Sequence, residues 1–139
     1  MTSVMIRETL PAVDDFLHLR VASGMTPRSR TAAERGLPGS LYGVIAVADA
    51  KTVGMGRVVG DGGCNFEIVD VAVAPEWQRQ GIGRRLVAAI MAYLDRDAPP
   101  GSYISLIADV PELYEPFGFR SSAPGAQGMH KWQGGAGAS

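Results

Sequence analysis

The sequence predicts an α/β (α+β) fold, a mixed sheet flanked by about four helices, and three observations predict it. Two apolar runs, residues 41–48 (LYGVIAVA) and 52–59 (TVGMGRVV), flank a tight turn at 49–51 and read as an antiparallel hairpin. Over residues 65–96 a strand, a glycine-bearing turn and an amphipathic helix follow in order, and a further apolar run comes at 103–108. Finally, 139 residues of which 46% are hydrophobic fit one domain, and a chain of this size removes roughly 68% of its unfolded surface from water without staples.

The elements can be justified in chain order. Residues 4–9 (VMIRET) alternate apolar and polar side chains, as a half-buried strand does. Pro11 precedes an amphipathic stretch at 13–22, and a short solvated helix is expected near 28–35. After the hairpin, Asp61, Gly62 and Gly63 turn the chain again. The run 65–73 (NFEIVDVAV) is apolar on both faces except at Glu67 and Asp70, which marks a central strand covered on both sides. Ile82, Leu86, Ile90 and Leu94 recur every four residues in the helix that follows. Beyond the strand at 103–108, Asp109, Pro111 and Glu112 suit the opening of a short helix over 110–117, which Gly118 ends. Residues 119–121 and 128–132 are expected to be closing strands. The domain is placed at 1–133, with a flexible tail at 134–139.

Composition excludes several classes. One cysteine, Cys64, rules out a disulfide scaffold and reads as a small buried hydrophobe; with only His18 and His130 beside it, no metal site is expected. Thirteen Lys and Arg against fourteen Asp and Glu give a charge of −1, so no basic field is offered to nucleic acid. No apolar run approaches 18 residues, and the first residues lack the pattern of a secretory leader. A cytoplasmic location without membrane association is therefore the expectation. Glycine, at 18 residues, marks turns and close backbone approaches.

The chemistry concentrates after residue 65. The turn QRQGIG, residues 78–83, places backbone amides at a helix N-terminus, where free N–H groups and the helix dipole attract an anion. Arg79, Arg84 and Arg85 add positive charge, so a phosphate or pyrophosphate is expected there. A P-loop string is absent, and a dinucleotide fingerprint fails because Leu86 stands where its third glycine belongs. Strict alternation puts Glu67 and Asp70 on opposite faces of the strand unless a bulge intervenes. Trp77 and Trp132 read as packing residues, and His130 as an exposed histidine in a closing strand that borders the site.

Residues 69–86, VDVAVAPEWQRQGIGRRL, resemble the acyl-CoA-binding motif of the GNAT N-acetyltransferase superfamily, matched at Gln78, Gly81 and Gly83. Residues 113–119, LYEPFGF, are similar to its second motif, and the two together cover about residues 64–119. The resemblance implies a sheet splayed in a V, with the cofactor's pantetheine arm pairing to the main chain at Val71, Ala72 and Val73. It implies acetyl-CoA as acyl donor, its pyrophosphate at Gln78, Arg79, Gln80, Gly81, Ile82, Gly83 and Arg84. Glu67 is the first choice as base, with Asp70 as a second or acceptor-binding group, and Tyr114 is implied as the acid that protonates the leaving thiolate. A main-chain N–H near Val71 would polarise the thioester carbonyl. Pro116 departs from the family pattern, as does Asp109 where many relatives have asparagine. The expected reaction is direct acetyl transfer to a primary amine of a small molecule or peptide, with a cationic acceptor favoured and a homodimer allowed. A non-catalytic acyl-CoA sensor is the alternative, and a toxin-like enzyme acting on charged tRNA would need a broader basic surface.

Overall fold

The computed structural model describes residues 3–134. One five-stranded sheet runs in the order β1 (Met5–Arg7), β2 (Tyr42–Ala48), β3 (Lys51–Gly60), β4 (Asn65–Val73), β5 (Tyr103–Leu106). The first three pairings are antiparallel and β4–β5 is parallel. Parallel neighbours need a long crossover, and α3 (Ile82–Asp97) supplies it. The β2–β3 turn is tight because Asp49 and Ala50 both take positive φ, 50° and 60°, the twist that a two-residue hairpin loop requires.

The sheet is covered on both faces. On one side α3 buries Ile82, Leu86, Ile90 and Leu94 against Val44, Val58, Phe66 and Ile68. It lies so close that a Cβ at Gly56 would come within 3.0 Å of Ile90 Cδ1. On the other side α1 (Val13–Ala22) and α2 (Arg30–Gly36) bury Phe16, Leu19 and Ala33 against Ile45, Met55 and Ala72. Trp77 packs against both clusters, as expected of a packing residue.

The bounds of α1 and β4 agree with the sequence reading. The region after β5 does not. The expected helix over 110–117 is two consecutive 3-10 turns, Pro111–Leu113 and Glu115–Phe117, each with proline in its first positions. Pro116 lacks the amide that a continuous helix needs. Gly118 ends the segment at φ +93°, as its position suggested. The closing strands expected at 119–121 and 128–132 are not formed: residues 119–134 hold no strand, and most of their side chains are exposed. Cys64 is exposed rather than buried, since it stands in the turn before β4. The expected tail falls mostly outside the described residues. Among these residues no helix is long and apolar enough to cross a membrane.

Candidate active site

The site begins with an interruption in β4. Met55 pairs with Ala72 and Arg57 with Val69, so the single residue Gly56 stands opposite both Asp70 and Val71. This two-against-one count is a β-bulge, and Asp70 takes a left-handed φ of 59° within it. The extra residue changes which side chains share a face. Phe66 and Ile68 below the bulge, and Val71 and Val73 above it, pack on the α3 side, while Ala72 packs on the α1 side. Glu67 and Asp70, expected on opposite faces under strict alternation, therefore line the same cleft.

The second feature is an open edge. β5 pairs with β4 only from Asn65 to Ile68 and then ends at Leu106. Val69 to Val73 are left without a partner strand on that side, which is the splay expected from the sequence. At the top of the opening, the Gln78 side chain donates from Nε2 to the Val73 carbonyl at 2.9 Å, tying the turn to the strand end. Gly81 caps α3 at φ +80°, a conformation that costs a residue with a Cβ. The first helical bond runs from the Arg85 amide to the Gly81 carbonyl, so the N–H groups of Ile82, Gly83 and Arg84 have no acceptor inside the helix. Arg79, Gln80 and Arg84 are exposed around them. Arg85 is directed elsewhere: its guanidinium bonds the Val4 carbonyl at 3.0 Å.

These residues fit a pyrophosphate bearing an extended arm. A Cβ at Gly83 would lie 3.7 Å from both Leu113 Cδ atoms and 3.9 Å from Val73 Cγ2. The glycine keeps open the slot between the end of β4 and the segment after β5, directly below the free amides.

On the α1 side of β4 lies a cleft of about 420 Å³ lined by Glu67, Asp70, Asp109, Tyr114, Arg20, Arg28, His130 and Trp132, among others. Tyr114 is 9% exposed and meets Phe119 edge to face at 6.1 Å. Burial, and then the neighbouring Asp109 carboxylate, push its phenol up to about 12, so it holds its proton at neutral pH. Asp70 is gripped from two sides: Arg20 Nη1 donates to Oδ1 at 2.5 Å and Arg57 Nε to Oδ2 at 2.6 Å. Arg20 also donates to the Thr26 carbonyl and Arg57 to Ser40 Oγ. Glu67 is half-buried, and among the described residues it has no ion-pair partner within 4.0 Å.

The sequence reading missed Arg20, Arg28 and Arg57. Arg57 carried a signal, a lone cation inside an apolar strand with a carboxylate in the next one. Arg20 carried a similar one, since on α1 it lies beside the buried Phe16 and Leu19, where an amphipathic pattern would put an apolar residue. Trp132, expected to pack, instead lies with Arg28 at the cleft, the guanidinium carbon 4.9 Å from the ring centroid. His130 is exposed and borders the cleft, as anticipated, although no strand carries it.

Comparison with known proteins agrees with this geometry. A family model described as an acetyltransferase (GNAT) domain matches residues 40–121. A probable acetyltransferase of meticillin-resistant Staphylococcus aureus has a solved structure that superposes with a TM-score of 0.90. It is 40% identical, over 94% of this chain and 100% of that one. The chloroplastic GCN5-related N-acetyltransferase 2 of Arabidopsis thaliana is 40% identical over 84 residues, which are 58% of this chain but 31% of that protein. The match thus spans about a third of the length of that curated relative. The GNAT family N-acetyltransferase YhbS of Escherichia coli, solved in complex with CoA, shares the fold at a TM-score of 0.64 and 21% identity, over 86% of this chain and 70% of that one. With its splayed sheet, glycine turn and matched domain, the chain belongs to the GNAT family of acetyltransferases.

Proposed function

We propose that this chain moves the acetyl group of acetyl-CoA to a primary amine by direct transfer in a ternary complex. The observation that carries the reading is the meeting of Glu67 and Tyr114 in one cleft beside the open edge of β4. Pyrophosphate would rest on the amides of Ile82, Gly83 and Arg84, flanked by Gln78, Arg79, Gln80 and Gly81. The pantetheine arm would pair with Val71, Ala72 and Val73 as a missing strand does.

An ammonium has no lone pair, so the acceptor must first lose a proton, and Glu67 takes it directly or through a water. The amine then attacks the thioester carbonyl, whose oxygen is stabilised by an amide of the bulge near Val71. The new C–N bond forms, the C–S bond breaks, the nitrogen gives up its second proton to water, and Glu67 returns the first to solvent. The departing thiolate takes one proton from Tyr114, which recovers it from solvent. The overall change is ammonium plus thioester to amide, thiol and one released proton. Asp70 holds the bulge in place through Arg20 and Arg57; with both oxygens already accepting from guanidiniums, it is assigned a positioning role and Glu67 the proton transfer.

The test is free-thiol release from acetyl-CoA across amines, amino sugars, polyamines and peptides, alongside the shift in melting temperature that acetyl-CoA produces. Release that depends on an added amine supports transfer. A thermal shift with no release for any amine would replace the enzyme by an acyl-CoA sensor.

A further inference from the structure

The cleft keeps its charges apart. Glu67 and Asp109 line it with no ion-pair partner within 4.0 Å among the described residues, and neither does Arg28 have one. The guanidiniums of Arg20 and Arg57 lie close enough to act on Arg28, and among the described residues the carboxylate of Asp70 is shared among the three. Arg20 and Arg57 take both its oxygens. Arg28 is left with long bonds from Nη1 to the carbonyls of Thr26 and Pro27, at 3.3 and 3.5 Å. Five N–H donors on a partly buried guanidinium so poorly served are a strong site for an anion, and a planar carboxylate or a phosphate meets them two at a time. Burial and the nearby Arg20 charge both lower the affinity of Arg28 for its proton, a cost that a bound anion would relieve. Trp132, stacked at 4.9 Å, restricts the plane in which the guanidinium presents those donors.

We propose that the acceptor is a primary amine that also carries an anionic group, a carboxylate or a phosphate, which Arg28, its guanidinium plane set by Trp132, holds while Glu67 faces the amine. This rests on the amine-transfer reading and replaces the cationic acceptor favoured on the expectation of a net acidic cleft. A cleft of about 420 Å³ is within the size range of small-molecule sites.

The test compares matched amines in thiol release: β-alanine with β-alaninamide, and phosphoethanolamine with ethanolamine. In at least one pair the anionic member is expected to have a kcat/KM at least tenfold above its neutral partner, and the responding pair names the anion. In Arg28→Ala that ratio should fall at least fivefold, with partial recovery in Arg28→Lys. Ratios near one in both pairs for the wild type, or a ratio that Arg28→Ala leaves intact, would overturn the proposal. If no amine raises thiol release, the amine-transfer reading fails, and binding then judges this one. In saturating CoA, β-alanine or phosphoethanolamine must raise the wild-type melting temperature more than that of Arg28→Ala, and equal shifts would overturn it.

Discussion

The two sides of the β4 opening are built from different materials. The donor side is one continuous stretch: the end of β4, the turn at 78–81 and the first turn of α3 present backbone amides and a space kept by Gly83. The side proposed for the acceptor is assembled from α1, the segment after it, the middle of β4, the 3-10 turns and residues near 130, with Arg57 of β3 bonded to Asp70, and it presents buried charge. Backbone donors are set in place by the local chain conformation and tolerate change in neighbouring side chains. Buried charges hold only while every partner is present. The proposed donor site thus sits on the sturdier construction, and the proposed acceptor site on the more exacting one.

The largest effect is expected where that contrast is sharpest. Asp70→Ala leaves Arg20 and Arg57 buried without their carboxylate and should cost about 3–5 kcal/mol in urea unfolding. A loss under about 1 kcal/mol would mean that the acceptor side does not depend on its buried charges.

Next comes the group shared by both sides. Tyr114→Phe removes one hydroxyl and should lower kcat by roughly 10² with little change in acetyl-CoA affinity. Because the acid form is the working one and its pKa is pushed up to about 12, wild-type turnover should show no falling limb between pH 7 and about pH 10. A decline centred near pH 10 would place the phenol in its ordinary range.

On the donor side, a Cβ at Gly83 meets only ordinary contacts in the free protein, so Gly83→Ala should fold with a melting temperature within a few degrees of wild type. It fills the slot below the free amides, however, and the thermal shift given by acetyl-CoA should largely disappear. An undiminished shift would move the arm of the cofactor away from Val73 and Leu113.

The smallest effect is expected at Glu67. Glu67→Gln keeps the shape and loses the base, lowering kcat/KM about tenfold at pH 7. The deficit should shrink as pH rises toward the pKa of the amine, since solvent then supplies the free base. A deficit equal at every pH would make Glu67 a positioning group.

The donor side was legible because its determinants are adjacent in sequence. Gly81 acts through the conformation of its own backbone, Gly83 through its missing side chain and Gln78 through a bond only five residues back, to Val73, and four-residue recurrence from Ile82 to Leu94 declares which face of α3 is buried. The bounds of α1 and β4 followed from local patterning in the same way. The reading broke where a local pattern was overruled from a distance: Pro116 turned an expected helix into two 3-10 turns, and the apolar letters of 119–132 suggested strands that find no place in the sheet.

By itself, the sequence determined the order of the elements up to β5 and the glycine turn that opens α3, and it offered the residue types proposed for acyl transfer. Only the tertiary structure decided that Glu67 and Asp70 share a face, that Asp70 is held by Arg20 and Arg57, and that Arg28 lies at the cleft without an ion-pair partner among the described residues. Periodicity reports how one segment meets its own neighbours. A bulge that shifts register by one residue, and an ion pair between residues fifty apart, come into being only when β3, β4 and α1 are packed together.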